Sequence, residues 1–227
     1  MILAVTGLER ERRMLAGPGV EAVAGGGDHV RLEAALDQLA SGMDGIISIG
    51  IAGGLEPGLR PGRWVVASAV RDAGESVPTD RNWTDLLARR LPRATQGLLL
   101  GADALVTTAA QKAALHWTSG AVAVDMESHI AARIARRHRL PFVAARVISD
   151  AAHRTLPPAA RVGMRPDGKM DLWAVLQSLF AAPWQLPSLI RTGLEAERGF
   201  QALLRGQRLL GPGLGGPKVG KLPLDMV

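Results

Sequence analysis

Apolar residues along this 227-residue chain fall into short blocks separated by glycine- and proline-bearing turns, and the blocks alternate between strand and helix spacing. Continuous apolar runs predict strands over residues 2–6 and 20–24, the second closed by Gly25-Gly26-Gly27. A buried strand at 46–49 runs into Gly50-Ile51-Ala52-Gly53-Gly54, and another at 63–70 follows the turn Arg60-Pro61-Gly62. Leu98 to Val106 reads as a strand with a glycine break at Gly101. Helical spacing predicts helices over 9–15, 29–39 (Leu32, Leu36 and Leu39 on one face), 83–91 and 108–115. A compact β-α-β unit spans 120–149, its helix carrying Ile130 and Ile134 on one face and Arg133, Arg136 and Arg137 elsewhere. This alternation predicts an α/β sheet with helices on both faces.

The last third breaks the pattern. Residues 155–168 are proline-rich, 172–190 are nearly free of charge, and 211–223 are rich in glycine and proline, which predicts a loose end. Pro183 and Pro187 interrupt 172–190, so it cannot form one straight membrane-spanning helix. The expected organisation is one domain over 1–205, with 155–205 its apolar helical part, and a tail over 206–227.

Composition narrows the function classes. Hydrophobic residues make up 47%, which excludes disorder of the whole chain. The absence of cysteine excludes disulfides, thiolate metal sites and a cysteine nucleophile. The five histidines lack ligand spacing, so no metal is expected. The net charge of +6 comes from scattered basic residues, with no tyrosine and three phenylalanines, so a stacking nucleic-acid surface is not expected. The first residues read as a strand and not a signal peptide, which makes the cytoplasm the expected compartment.

Candidate chemistry gathers in two motifs that each end an apolar run. Val124-Asp125-Met126-Glu127-Ser128 opens the helix of the β-α-β unit, and Arg146-Val147-Ile148-Ser149-Asp150-Ala151 closes its second strand. Parallel neighbouring strands would put both motifs at one sheet edge, where α/β proteins bind ligands. Glu127 is either a first-turn acid complementing the helix dipole or a carboxylate accepting from paired hydroxyls such as a ribose diol. Asp125 suits a helix cap. Asp150 is either a cap or a general acid whose proton is retained through desolvation. Arg146 is an anion-orienting or salt-bridge residue. The glycine runs at 25–27 and 50–54 are tight turns or loops whose N–H groups meet an anion or sugar.

With these residues in place, the chain resembles a known group. Gly-Leu-Glu-Arg-Glu, Ser-Ile-Gly-Ile-Ala-Gly-Gly-Leu, Val-Asp-Met-Glu-Ser and Ser-Asp-Ala occur in an order similar to the superfamily of purine nucleoside phosphorylases and methylthioadenosine/adenosylhomocysteine nucleosidases, over residues 2 to about 152. Leu156-Pro157-Pro158-Ala159 and the stretch from Arg165 to Leu172 resemble the hopanoid-biosynthesis-associated branch, whose implied substrate is adenosylhopane. The resemblance implies a three-layer α/β/α fold around a twisted mixed sheet. It implies Asp150 as the acid at the purine, supported by Ser149 and Arg146. Met126 and Glu127 become the ribose pair, Ala104 and Leu105 the wall against the base, and Glu11, with Glu9 close by, the acid that activates water. The nucleophile or anion loops would comprise Gly25, Gly26, Gly27, Gly50, Ala52 and Gly53. Ile51 stands where relatives carry a serine or threonine, and Asp28 follows Gly27, so water is favoured over phosphate, although glycine backbone and Arg31 keep phosphate open as a co-substrate. No metal or organic cofactor is implied. A homo-oligomer is implied, and a lipid nucleoside with peripheral membrane contact through 172–190 would suit Trp173, Phe180 and Trp184, flanked by Lys169 and Arg191. The alternatives are a methylthioadenosine/adenosylhomocysteine nucleosidase, a general purine nucleoside phosphorylase, or a non-catalytic nucleoside- or membrane-binding scaffold.

Overall fold

In the computed structural model, which describes residues 1–161, 178 and 181–217, eight strands form one mixed sheet. They are β1 (Ile2–Thr6), β2 (Val20–Ala24), β3 (Gly45–Gly54), β4 (Trp64–Asp72), β5 (Glu75–Pro78), β6 (Thr95–Gly101), β7 (Ala123–Asp125) and β8 (Phe142–Asp150). The order is β2-β1-β3-β7-β6-β4-β5, and β8 fills the gap between β3 and β4. The strands β3, β8, β4, β6 and β7 therefore close a ring, with β3–β8 parallel and β4–β8 and β3–β7 antiparallel.

Alternation along the strands sends side chains to two cores. Leu3, Val5, Ile46, Ala144 and Ile148 meet helices α2 (His29–Ala40) and α5 (Ser128–His138), through Leu32, Leu36, Ile130 and Ile134. Ile2, Ala4, Ile47, Ile49, Val143, Ala145 and Val147 face the opposite layer. That layer holds α1 (Glu9–Leu15), α3 (Arg81–Arg90) and a long C-terminal helix. Each such fully buried Ile or Leu contributes roughly 1.5–3 kcal/mol. Helix α4 (Ala109–Ser119) opens on a Thr108–Gln111 capping box and closes on Gly120 in the left-handed conformation. A short α6 (Pro158–Arg161) precedes α7 (Leu186–Leu210).

Several expectations change. The two strands of the unit at 120–149 are not parallel neighbours: β7 runs antiparallel to β3 and β8 parallel to it, on opposite sides. Their carboxyl ends still meet, because both pair with the end of β3, where Gly53 faces Val124 on one side and Asp150 on the other. The strand expected over 98–106 runs from Thr95 to Gly101, and the residues after it leave the sheet. The division at 205/206 falls inside α7. The expected loose end is packed as far as it is described: Leu214 is buried, its carbonyl accepts from Trp83 Nε1 at 3.1 Å, and Gly213 N–H donates to Pro18. Glycines at positive φ allow these turns. Of the apolar stretch 172–190, eight of nineteen residues, with Trp173 and Phe180, lie outside the described residues, as does Lys169. Among the described residues, no helix is long and apolar enough to cross a membrane.

Candidate active site

A cleft opens at the carboxyl end of β3 and β8. Glu11, Ala52, Gly53, Ala104, Leu105, Met126, Glu127, Ser149 and Asp150 line it, with Leu8, Ile51, Val106 and Leu156 adding apolar wall. The β8 strand bulges here: Ala52 of β3 pairs with Ile148, whereas the next residue, Gly53, pairs with Asp150. The extra residue breaks the period-two alternation, which would send Ser149 and Asp150 to opposite faces, and both line the cleft.

Four buried ionisable groups, Arg146, Asp125, Glu127 and Glu11, lie side by side at one wall. Arg146 is fully buried and pairs with Asp125, while its guanidinium stands 3.5 Å from Glu127. Ser48 and Ser128 accept from the same guanidinium. Asp125 also takes the Ser128 N–H at 2.9 Å and the Ser128 hydroxyl at 2.7 Å, so it caps α5. Glu127 stands at the N-cap position of α5 and makes no side-chain cap bond, which leaves its carboxylate to the cleft. Burial pushes Glu127 up to about 8; Arg146 pulls it down, and Asp125 and Glu11 push it further up.

Glu11 reaches the cleft from α1. Its carboxylate accepts from Gly7 N–H and Leu8 N–H, each at 2.8 Å, and from Ile51 N–H at 2.7 Å. Burial raises its pKa, with Arg146 and these three donors opposing the rise. Glu9 lies outside the cleft, held by Arg12 and Arg13 and lowered to about 2 chiefly by its bond to Arg12. Geometry thus separates the two acids that sequence left adjacent.

The carboxyl of Asp150 is gripped from two directions. Ser149 Oγ donates to Oδ1 at 2.7 Å, and the fully buried ammonium of Lys112 on α4 contacts Oδ2. Lys112 also donates to the carbonyls of Ala151 and Arg154, both at 3.1 Å. The expectation of an acid made proton-bearing by dryness alone is therefore corrected, because Asp150 has a cation as its immediate partner. Arg146 is corrected too: its partners are Asp125 and Glu127, and it lies beneath the cleft instead of supporting Asp150.

Of the expected anion loops, Ala52 and Gly53 line the cleft. Gly25, Gly26, Gly27 and Gly50 do not line the cleft. Gly25 N–H is bonded to Thr6 and Gly26 N–H to Gly7. Their role is close approach: a Cβ on Gly25 would lie 3.0 Å from Glu127 Cγ, and one on Gly50 would lie 2.7 Å from Glu11 Oε1. Asp28 caps α2, and Arg31 points to solvent. Lys112 was invisible to motif reading. The available signal was a lone lysine three residues before Leu115 on the inward face of a helix.

The closed mixed ring and a cleft lined by Glu11, Glu127 and Asp150 define a candidate active site. The profile of the phosphorylase superfamily matches residues 14–174, and the chain belongs to that superfamily. No curated protein is a significant match in sequence. Among solved structures, the chain is similar to 5′-methylthioadenosine/S-adenosylhomocysteine nucleosidase from Streptococcus pneumoniae with a transition-state inhibitor, at 17% identity and a TM-score of 0.62, covering 92% of this chain and 99% of that one. The Helicobacter pylori nucleosidase bound to butyl-thio-DADMe-Immucillin-A gives 14%, 0.64, 92% and 95%. Futalosine hydrolase of Helicobacter pylori gives 15%, 0.58, 90% and 97%. At these identities the likeness concerns the fold.

Proposed function

We propose that the chain hydrolyses the N-ribosyl bond of a 5′-substituted adenosine, releasing adenine, and that the favoured 5′ substituent is a hopanoid, as in adenosylhopane. The observation that carries the reaction is the meeting of Glu11, Glu127 and Asp150 in one cleft. In this reading the base lies between Asp150 and the Ala104-Leu105 wall, the ribose rests on Met126 with its hydroxyls on Glu127, and water sits at Glu11. As the C–N bond breaks, its electron pair moves onto the base and positive charge builds on the sugar. A proton passes from the Lys112 ammonium through the Asp150 carboxyl to the purine N7. The water oxygen bonds to the anomeric carbon, and its proton goes to Glu11. Adenine and a free hemiacetal result. The carboxylates beside the sugar stabilise the developing cation, and proton transfer of this type is worth roughly 10²–10⁴ in rate. No metal or organic cofactor enters these steps.

Water is favoured over phosphate because the N–H groups of Gly25, Gly26 and Ile51 are already bonded, the last to Glu11. A phosphate placed there would also face the carboxylates of Glu11 and Glu127. Support for a lipophilic 5′ group comes from the apolar wall of Leu8, Ile51, Val106 and Leu156 and from an outer stripe of exposed Trp184, Leu186, Ile190 and Leu194. The last three recur every fourth residue on one face of α7, which suits peripheral contact with a bilayer holding the substrate. A methylthioadenosine or adenosylhomocysteine nucleosidase is the second reading, favoured by nucleosidase likeness over nearly the whole chain. A homo-oligomer is part of the proposal in either case. The test is mass analysis of the sugar product with and without phosphate, using adenosylhopane, methylthioadenosine and adenosylhomocysteine. Hydrolysis predicts a free sugar in both buffers and fastest adenine release from the lipid substrate. A phosphorylated sugar overturns the water assignment, and faster turnover of the short substrates overturns the hopanoid.

The Glu127 carboxylate gives this reading a pH signature. A group raised to about 8 holds its proton below that pH, whereas gripping two ribose hydroxyls uses the anion as acceptor. Affinity for an uncleavable nucleoside is expected to strengthen as pH rises from 6 through 8 and then level. Glu127→Gln should weaken binding and flatten the curve. The stability sign is opposite: the folded chain holds this proton more tightly than the unfolded one, so stability from this group declines between about 4.5 and 8 as pH rises.

A further inference from the structure

Beside the cleft lies a second cluster that the proposed reaction does not use. His29 is the first residue of α2, Asp103 lies in the loop leaving β6, and His129 is the second residue of α5. His29 Nδ1 stands 3.3 Å from Asp103 Oδ1, and His129 Nε2 stands 3.2 Å from the same oxygen. The three donor atoms lie within 4.8 Å of one another. The two imidazoles meet edge to face with centroids 5.5 Å apart. A side chain on Gly101 would overlap His129, so glycine at that position makes room for the ring.

We propose that His29, Asp103 and His129 form a binding site for one divalent ion of the zinc class. Donor atoms around a tetrahedral zinc lie about 3.3–3.5 Å apart, given bonds of about 2.0–2.1 Å, and both histidine–aspartate gaps match that edge. The His129 gap is also within hydrogen-bond range, and the His29 gap lies just beyond it. The second nitrogens, His29 Nε2 and His129 Nδ1, are buried with no hydrogen-bond partner. The rings are thus engaged only through the nitrogens that face Asp103, which are the donor atoms offered to an ion. Two imidazoles and one carboxylate suit zinc, cobalt or nickel, whereas magnesium and calcium prefer oxygen donors. Three protein ligands leave a fourth position for water.

The ion has a place in the architecture. Asp103 directly precedes Ala104 and Leu105, which line the cleft, and its side chain is exposed. His29 follows the first glycine run, and His129 lies two residues beyond Glu127. One ion would clasp the otherwise projecting loop to α2 and α5 and fix the wall against which the base is placed. Binding itself does not depend on the reaction proposed above; only the effect on adenine release does.

The full chain, stripped with a chelator, is titrated with zinc chloride, cobalt chloride and magnesium chloride. The expected result is one zinc per chain, a visible spectrum of nitrogen- and oxygen-ligated cobalt, and a thermal midpoint that rises with zinc but not magnesium. Asp103→Asn and His29→Gln should each weaken zinc binding more than about tenfold, the lower end seen for outer-shell partners of metal sites. Neither residue enters the proposed catalysis, so the ion-free variants should release adenine as the ion-free parent does. Zinc binding of unchanged strength in both variants, or binding no stronger than that of magnesium, overturns the site. Zinc binding without adenine release from any nucleoside leaves the site standing and defeats the hydrolase reading.

Discussion

Asp150→Asn is expected to lower turnover by about 10²–10⁴-fold while leaving nucleoside affinity within a few-fold of the parent. The asparagine keeps the shape and an acceptor for the Ser149 hydroxyl, which donates to Oδ1 at 2.7 Å. It cannot carry a proton to the departing purine. Each tenfold loss corresponds to about 1.36 kcal/mol of barrier, so the variant forfeits roughly 3–5 kcal/mol of transition-state stabilisation. The amide also leaves the buried Lys112 ammonium without its anion, and breaking such a pair costs about 3–5 kcal/mol of stability. Folding must therefore be checked by thermal melting. The double variant Asp150→Asn/Lys112→Met removes the orphan charge; it should recover part of the stability and none of the rate. Adenine release at steady state, with affinity measured on an uncleavable analogue, separates the readings. A scaffold that merely binds nucleosides would show no turnover to lose, and parent-like turnover in the single variant would remove Asp150 from the mechanism.

Much of this site was legible because its acids end strands that are buried on both faces. Such strands read as unbroken apolar runs, so Asp125, Glu127 and Asp150 stood out as polar residues at their ends. What was not legible is how the strands run. Nothing local shows that β8 runs parallel to β3 and β7 antiparallel to it, since both are apolar blocks ended by an acid. Strand β5 was missed for a related reason: Glu75-Ser76-Val77-Pro78 is mostly exposed, and its hairpin is set by Ala73 and Gly74 at positive φ. The loop after Gly101 was absorbed into a strand because Leu105 and Val106 are apolar, although they serve the cleft and not the core.

Partners proved harder to read than positions. Arg146 and Asp150 lie four residues apart on one strand, which in a regular strand would place them on the same face. The bulge at Ser149 breaks that count, and Arg146 turns to Asp125 and Glu127 while Asp150 meets Lys112. Lys112 lies 38 residues from Asp150, and His29 lies farther still from His129, so no spacing rule could pair them. Glycine carried a similar ambiguity. The runs at 25–27 and 50–54 look like anion loops, yet Gly25 and Gly50 are small because Glu127 and Glu11 pack against them.

Lys112→Met is expected to lower turnover by about 10²-fold or more, within the range of general acid–base contributions, with little change in nucleoside affinity. The methionine roughly fills the space of the lysine stem, so packing under α4 is largely kept. What goes is the ammonium that faces Asp150 and the carbonyls of Ala151 and Arg154. Ribose binding should survive, since Glu127 and Met126 are held from the other side by Arg146 and α5. A purely structural lysine would behave differently: losing it would loosen the 151–154 turn, lower stability, and disturb affinity along with rate. Lys112→Ala supplies the sharper comparison, because it leaves a space that a small amine can enter. Methylammonium should restore part of its rate without changing its thermal midpoint, while an equal concentration of sodium should do nothing. Rescue of that kind assigns the ammonium to the proton path. A Lys112→Met variant with parent turnover would instead make Asp150 sufficient alone, and would mean that burial of an ion pair at this position serves the fold.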